Sequence, residues 1–158
     1  MGTNAAEFSV RLSGWQQVLG EDADLFVQGF AQAVANEVQV GGQFSPGTPI
    51  DTGYARASWD AGVNAEPEAP EPLEAGIRQD GVPTYAPGIT QERILRALLT
   101  AKAGDTIVLV NTAPYARRLE FGWSQQAPQG MVRLTLAHAQ DIANRIGEAL
   151  LARRRRGP

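Results

Sequence analysis

The sequence predicts an α+β fold: a small, mostly antiparallel sheet packed with a long N-terminal helix, a middle helix and a long C-terminal helix. Three observations carry this. Phe26, Phe30, Val34 and Val38 recur every fourth residue, flanked by Ala23, Val27 and Ala31, which makes a one-faced amphipathic helix of about four turns. Ile107-Val108-Leu109-Val110 is apolar on both faces and predicts a central strand over 105–111. Met131, Leu134, His138, Ile142, Ile146 and Leu150 stand at helical spacing and predict one long C-terminal helix.

The remaining elements follow in chain order. Phe8, Val10 and Leu12 alternate with polar residues, which suits a short strand over 8–15 ending at Gly14. Glu21, Asp22 and Asp24 suit the start of the first helix, and Gly41-Gly42 its end. Residues 41–53 are loop by their Gly and Pro content. Tyr54 to Asn64 alternate, with Ala55, Ala57, Trp59, Ala61 and Val63 on one side, as a half-buried strand whose first residues are also compatible with a helical turn. The segment 65–88 is an acidic, proline-rich insert in which 73–77 can return as a hairpin strand and 79–88 reads as loop. Thr90 is placed to cap the middle helix, which buries Ile94, Leu95, Leu98 and Leu99 and ends at Gly104. Residues 112–130 read as an irregular or short-helical connection. Residues 1–152 form one domain, and 153–158 a basic tail read as solvated.

Composition narrows the chemistry. The chain has 158 residues, no cysteine and one histidine, which leaves no thiol nucleophile, no thiolate metal site and little for a histidine relay. No apolar run approaches the ~20 residues that span a membrane. The net charge is −3, but Arg153 to Arg156 supply four of the 14 basic residues against 17 acidic ones. The body is therefore acidic, a poor grip for phosphates.

Ile50-Asp51-Thr52-Gly53 matches the Asp-Thr-Gly of aspartic proteases, which pair two such carboxylates across a dimer. The context argues against that remote alternative. Pro and Gly precede the motif instead of an apolar strand, and no apolar pair followed by Gly stands ready to brace it. An Asx-type turn at Asp51 with a permissive φ at Gly53 is the simpler reading. His138 reads as a core-edge residue bonded to Asp141 three positions on. Glu66, Glu68, Glu71 and Glu74 are spaced by prolines and read as solvated. No catalytic, metal-binding or cofactor-binding residue emerges.

The segment 111–131, NTAPYARRLEFGWSQQAPQGM, gathers Tyr, Trp, Phe, Arg and Met in the proportions of an interface core. Three blocks then form a pattern: Thr48-Pro49-Ile50-Asp51-Thr52-Gly53-Tyr54-Ala55-Arg56-Ala57-Ser58-Trp59, the Gly104-Asp105 turn into the strand ending at Asn111, and Pro114-Tyr115-Ala116-Arg117-Arg118-Leu119-Glu120-Phe121-Gly122 followed by Ser124, Gln126-Ala127-Pro128 and Gly130-Met131-Val132. In this order and spacing they resemble the tail-completion, or neck, proteins of siphophages and related prophages. The insert 65–88 and the terminal arginines depart from that pattern.

The resemblance implies a structural virion protein of a long-tailed bacteriophage, without catalysis or cofactor, made in the host cytoplasm. It implies a homo-oligomeric, hexameric ring joining tail to head. Its partners would be connector and tail terminator or tube proteins, and DNA would pass its channel without sequence-specific binding. A tail terminator or head-closure protein is the alternative within the same class. A head-to-tail ring needs two complementary surfaces per subunit. Tyr115, Arg118, Glu120, Phe121, Trp123, Gln126 and Met131 are the expected anchors of one, and Asp51, Arg56 and Trp59 of the other. Asp51→Asn separates the classes: proteolysis, if that is the activity, is abolished in a peptide-cleavage assay, whereas a structural subunit remains able to assemble.

Overall fold

The computed structural model describes residues 22–156, so the strand predicted over 8–15 lies outside the described residues. The predicted α+β class holds, with helices around two small antiparallel sheets. Helix α1 (Ala23–Gln39) buries Phe26, Ala31, Ala35 and Val38 along one stripe. Asp22 makes no side-chain cap and instead pairs with Arg154, while Asp24 accepts from the Ala103 N–H at 2.8 Å and Lys102 Nζ at 3.1 Å. The start of α1 is thereby tied to the loop that leads into the main sheet. At its other end the Val40 and Gly41 N–H groups both donate to the Asn36 carbonyl.

The chain then folds back on that end around Thr48, which is fully buried. Its N–H donates to Gln39 O at 3.1 Å, and its hydroxyl donates to Val38 O and accepts from Trp59 Nε1, both at 2.7 Å. Its carbonyl accepts from the Arg56 guanidinium at 2.9 and 3.2 Å. Glu37, also buried, accepts the N–H groups of Gln43, Phe44 and Ser45 at 3.0 to 3.2 Å. A loop this rich in Gly and Pro has no ladder of its own, so these side chains satisfy its backbone.

Tyr54 to Asn64 is not one strand. A helical turn, α2 (Tyr54–Ala57), precedes β1 (Trp59–Val63). Thr52 Oγ1 accepts the Tyr54 N–H, Gly53 sits at φ 87°, and the Ser58 hydroxyl donates to Tyr54 O, which together close the turn. The start of β1 is buried on both faces rather than one. Asp60 accepts from Arg93 Nε at 3.0 Å and from the Ala69 N–H at 3.0 Å, so the middle helix and the insert cover the polar side.

Within the insert, β2 (Glu74–Ile77) pairs antiparallel with β3 (Pro83–Tyr85), the latter in a stretch expected to be loop. Helix α3 (Gly88–Leu98) begins before Thr90; that hydroxyl is buried and donates to Ala57 O at 2.8 Å instead of capping. Ile94 and Leu98 are buried, but Leu95 and Leu99 point outward, 43% and 54% exposed. Strand β4 (Ile107–Asn111) pairs with β1, Trp59 opposite Asn111 and Val63 opposite Ile107. It was expected to be central; among the described residues it has a neighbour on one side only, and all five residues are half-buried.

After α4 (Ala116–Glu120) the predicted C-terminal helix is two helices, α5 (Val132–Ala137) and α6 (Ala139–Arg156), broken at His138. The His138 ring stacks on Phe44 at 4.9 Å, and its Nδ1 lies 3.1 Å from Asp141 Oδ2, the expected partner. The arginines expected in a solvated tail are the last turn of α6.

The core joins Ala31, Ala35 and Val38 of α1 to Trp59 and Ala61 of β1, Ile94 and Leu98 of α3, and Met131. A second cluster couples Phe26 to Ala143 of α6. Leu98→Ala is expected to cost about 2–5 kcal/mol of unfolding free energy by removing fully buried methyls. Thr48→Val strands the Trp59 N–H and the Val38 carbonyl; urea titration should show a loss of about 2 kcal/mol, largely avoided by Thr48→Ser.

Candidate interface

Two segments far apart in sequence, 48–59 and 114–131, meet on one side of the molecule. Gln126 makes the join: its Oε1 accepts the Ile50 N–H at 2.9 Å and its Nε2 donates to Ile50 O at 2.8 Å. Ser45 Oγ donates to Met131 O at 3.3 Å, and the Tyr54 and Tyr115 rings lie 6.3 Å apart. Between them runs a cleft of about 310 Å³ bordered by Asp51, Thr52, Tyr115, Leu119, Ser124 and Gln126. Burial pushes the Tyr115 phenol above its ordinary range, against a lowering backbone bond from Ala55. Tyr54 is raised by its bond to Glu71, to which its hydroxyl donates at 2.9 Å.

The 114–131 segment is a closed loop held by one carboxylate. Glu120 accepts the N–H groups of Met131 (3.0 Å), Val132 (2.8 Å) and Arg133 (2.9 Å), and the Arg133 Nε at 3.1 Å. It thus satisfies the donors at the start of α5 from eleven or more residues away in sequence. Two glycines let the strands of the loop close. Gly122 and Gly130 lie at φ 83° and 81°; a Cβ on Gly122 would meet Pro128 O at 2.4 Å, and one on Gly130 would meet Glu120 O at 2.5 Å. Ala127 and Met131 plug the inner end, fully buried or nearly so.

The outer end is aromatic and cationic. Phe121 is 59% exposed and Trp123 73%. Arg118 lies over Trp123 at 5.0 Å, while Arg117 and Arg133 flank the Phe121 ring at 5.8 and 5.1 Å. Such cation–π contacts contribute about 0.5–1 kcal/mol each at exposed sites and favour this orientation of the rings.

The ten expected interface residues divide. Asp51, Tyr115, Arg118, Phe121, Trp123 and Gln126 present surface on this side. Trp59 and Met131 do not: they are 5% and 1% exposed and belong to the core. The alternation that puts Trp59 in line with Ala61, and the helical spacing that begins at Met131, both signalled this. Glu120 spends its carboxylate inside the loop, and Arg56 its guanidinium on Thr48 O; burial lowers the pKa of Arg56. Asp51 does not form the expected Asx turn. Its exposed carboxylate pairs with Arg78 of the hairpin at 2.9 Å. Arg117 and Arg133 were not among the expected anchors; Arg117 stands four residues before Phe121, a spacing visible in the sequence, whereas Arg133 reaches the ring only through closure of the loop.

Among the described residues no group of three His, Cys, Asp or Glu side chains is placed to hold a metal, and no helix is long and apolar enough to cross a membrane. Compared with known proteins, the chain matches no family model, no curated protein and no solved structure.

Burial draws the Glu120 carboxyl upward, but the N–H groups of Val132, Arg133 and Met131 and the Arg133 side chain outweigh it and leave its pKa below the ordinary value. A lowered carboxylate contributes stability that is complete above its unfolded pKa and is lost as pH falls through the folded one. Glu120→Gln is therefore expected to lose about 1–3 kcal/mol at pH 7, a difference that shrinks as pH falls below the ordinary glutamate pKa and vanishes below the lowered one, in unfolding curves taken across pH.

Proposed function

We propose that this protein is a ring-forming structural subunit of a long-tailed bacteriophage, a tail-completion or neck protein that joins tail to head around the DNA channel. One observation carries the reading: two of the three sequence blocks that resemble that family are bound to each other through Gln126 and Ile50. They border one cleft and present Phe121 and Trp123 to solvent. Exposed, guanidinium-backed aromatics on a rigid loop fit the buried anchors of a protein interface better than a small-molecule site.

The β2–β3 hairpin adjoins that cleft, Arg78 pairing with Asp51 and Tyr85 packing edge-on to Tyr54, and adds apolar surface to it. The β2–β3 hairpin projects Leu73 and Ile77, 61% and 73% exposed, and a two-stranded hairpin is marginal without something to pack on. A closed ring requires two unlike surfaces on each chain, and the aromatic loop 114–131 is the candidate for one of them. The acidic excess of the body suits a channel from which phosphate must slide without sticking. The role uses no cofactor, and its place is the virion, with assembly in the host cytoplasm.

The test is a stop codon in this reading frame in the phage or prophage that carries it, with particles viewed by negative-stain microscopy. Separate filled heads and free tails are the expected result; intact particles would overturn the reading. Trp123→Ala should reduce joined particles at least tenfold while shifting the thermal midpoint of the isolated protein by less than about 2 °C, since the side chain is mostly solvated.

A further inference from the structure

Two patches of opposite charge flank the cleft, and each carries exposed apolar side chains. The insert 65–88 holds five carboxylates against one guanidinium and leaves Leu73, Ile77 and Val82 exposed. The loop 114–131 presents Phe121 and Trp123, with Arg118 over the Trp123 ring and Arg117 and Arg133 beside Phe121. Arg78 pairs with Asp51 and Asp80, and Arg133 pairs with Glu120. Among the described residues, Glu66, Glu68, Glu71 and Glu74 form no ion pair, and neither do Arg117 and Arg118. The fold also fixes the two patches apart. The Tyr85 N–H donates to Thr52 O at 2.9 Å, and the Tyr85 ring meets Tyr54 edge-on at 5.0 Å. Gly53 permits that approach, since a Cβ there would meet Tyr85 O at 2.3 Å. Arg78 adds its pairing with Asp51, so the hairpin is anchored on one side of the cleft as Gln126 anchors the loop on the other. Among the described residues, neither patch covers the apolar side chains of the other.

We propose that the aromatic loop of one copy docks on the β2–β3 hairpin of a second copy. Phe121 and Trp123 pack on Leu73 and Ile77, while Arg117 and Arg118 face the glutamates of the insert. A second copy is the occupant because one chain carries both halves of the match, cationic with aromatics and acidic with aliphatics. Opposed charge steers the encounter and sets its register, and the aromatics, desolvated at the centre of the contact, supply its affinity. The assignment deepens the ring reading and rests on it for the size of the assembly: it names the second of the two unlike surfaces. The insert, where the sequence departs from the resembling pattern, thereby becomes the part that chooses the neighbour.

Sedimentation velocity on the full chain and two charge-reversed variants tests this. Arg117→Glu with Arg118→Glu makes the loop acidic. Glu66→Lys, Glu68→Lys and Glu74→Lys together make the insert basic, and Glu71 is kept because it accepts from the Tyr54 hydroxyl. The unmodified chain is expected to self-associate at concentrations on the order of 100 μM, at least about tenfold more weakly at high salt than at low. Each variant alone sets like charge against like and should associate at least about tenfold more weakly than the unmodified chain. An equimolar mixture of the two should regain association to within about threefold, because every loop then meets a hairpin of opposite sign. An unmodified chain that stays monomeric to about 1 mM, a variant that associates undiminished, or a mixture that stays apart overturns the assignment. Cysteine, which the chain lacks, reads the same contact without charge reversal. Gln125→Cys chains mixed with Ala75→Cys chains should form the mixed disulfide at least about fivefold over either like pair. An equal or greater yield of like pairs, or no disulfide, overturns it. Size separates this inference from the reading beneath it. A mixture that stops at a reciprocal pair keeps the contact and removes the ring, whereas a larger closed assembly keeps both. Intact particles from the stop-codon experiment remove the phage role and leave the contact standing.

Discussion

The fold depends on the hydrogen bonding of one buried threonine. Thr48 lies where the end of α1, the loop 40–53, the turn α2 and the strand β1 converge: its N–H and hydroxyl donate to α1, its hydroxyl accepts from Trp59 of β1, and its carbonyl accepts from Arg56 of α2. A backbone polar group buried without a partner costs as much as a lost hydrogen bond, so removing one contact at this junction exposes several others. Trp59 can sit in the core because its indole N–H has this hydroxyl to donate to. The Trp59 side chain in turn fixes the face that β1 offers to α1 and α3.

Two carboxylates do for the long loops what Thr48 does for the junction. Glu37 gathers the N–H groups of residues 43–45, and Glu120 those of residues 131–133. Both convert irregular backbone into a defined surface without secondary structure. The proposed interface therefore rests on loops that carry little freedom, which lowers the ordering entropy that association must overcome.

Much of this was legible in the sequence. The four-residue period of Phe26 to Val38, the apolar run at 107–110 and the spacing from Met131 to Leu150 located the main helices and the main strand. What escaped has specific physical causes. The alternation from Tyr54 to Val63 is shared by a helical turn followed by a strand, and only the hydroxyls of Thr52 and Ser58 decide between them. The break at His138 depends on Phe44, almost a hundred residues earlier, to which its ring is stacked. Leu95 and Leu99 share the apolar spacing of Ile94 and Leu98, but the helix packs along a narrower stripe than the sequence offered. In the candidate site, composition identified the 114–131 loop as unusual. It could not say which aromatics point out, because Trp and Met serve a core and an interface equally well.

The pairing of Asp22 with Arg154 has a consequence for how the molecule can be handled as a polymer. It sets the entry to the first helix beside the exit of the last, so the described chain is close to a closed circle. Cargo attached after α6 therefore emerges beside the start of α1. A rearranged gene that joins the two ends of the full chain and opens it in the exposed insert would leave the core contacts described above uncut.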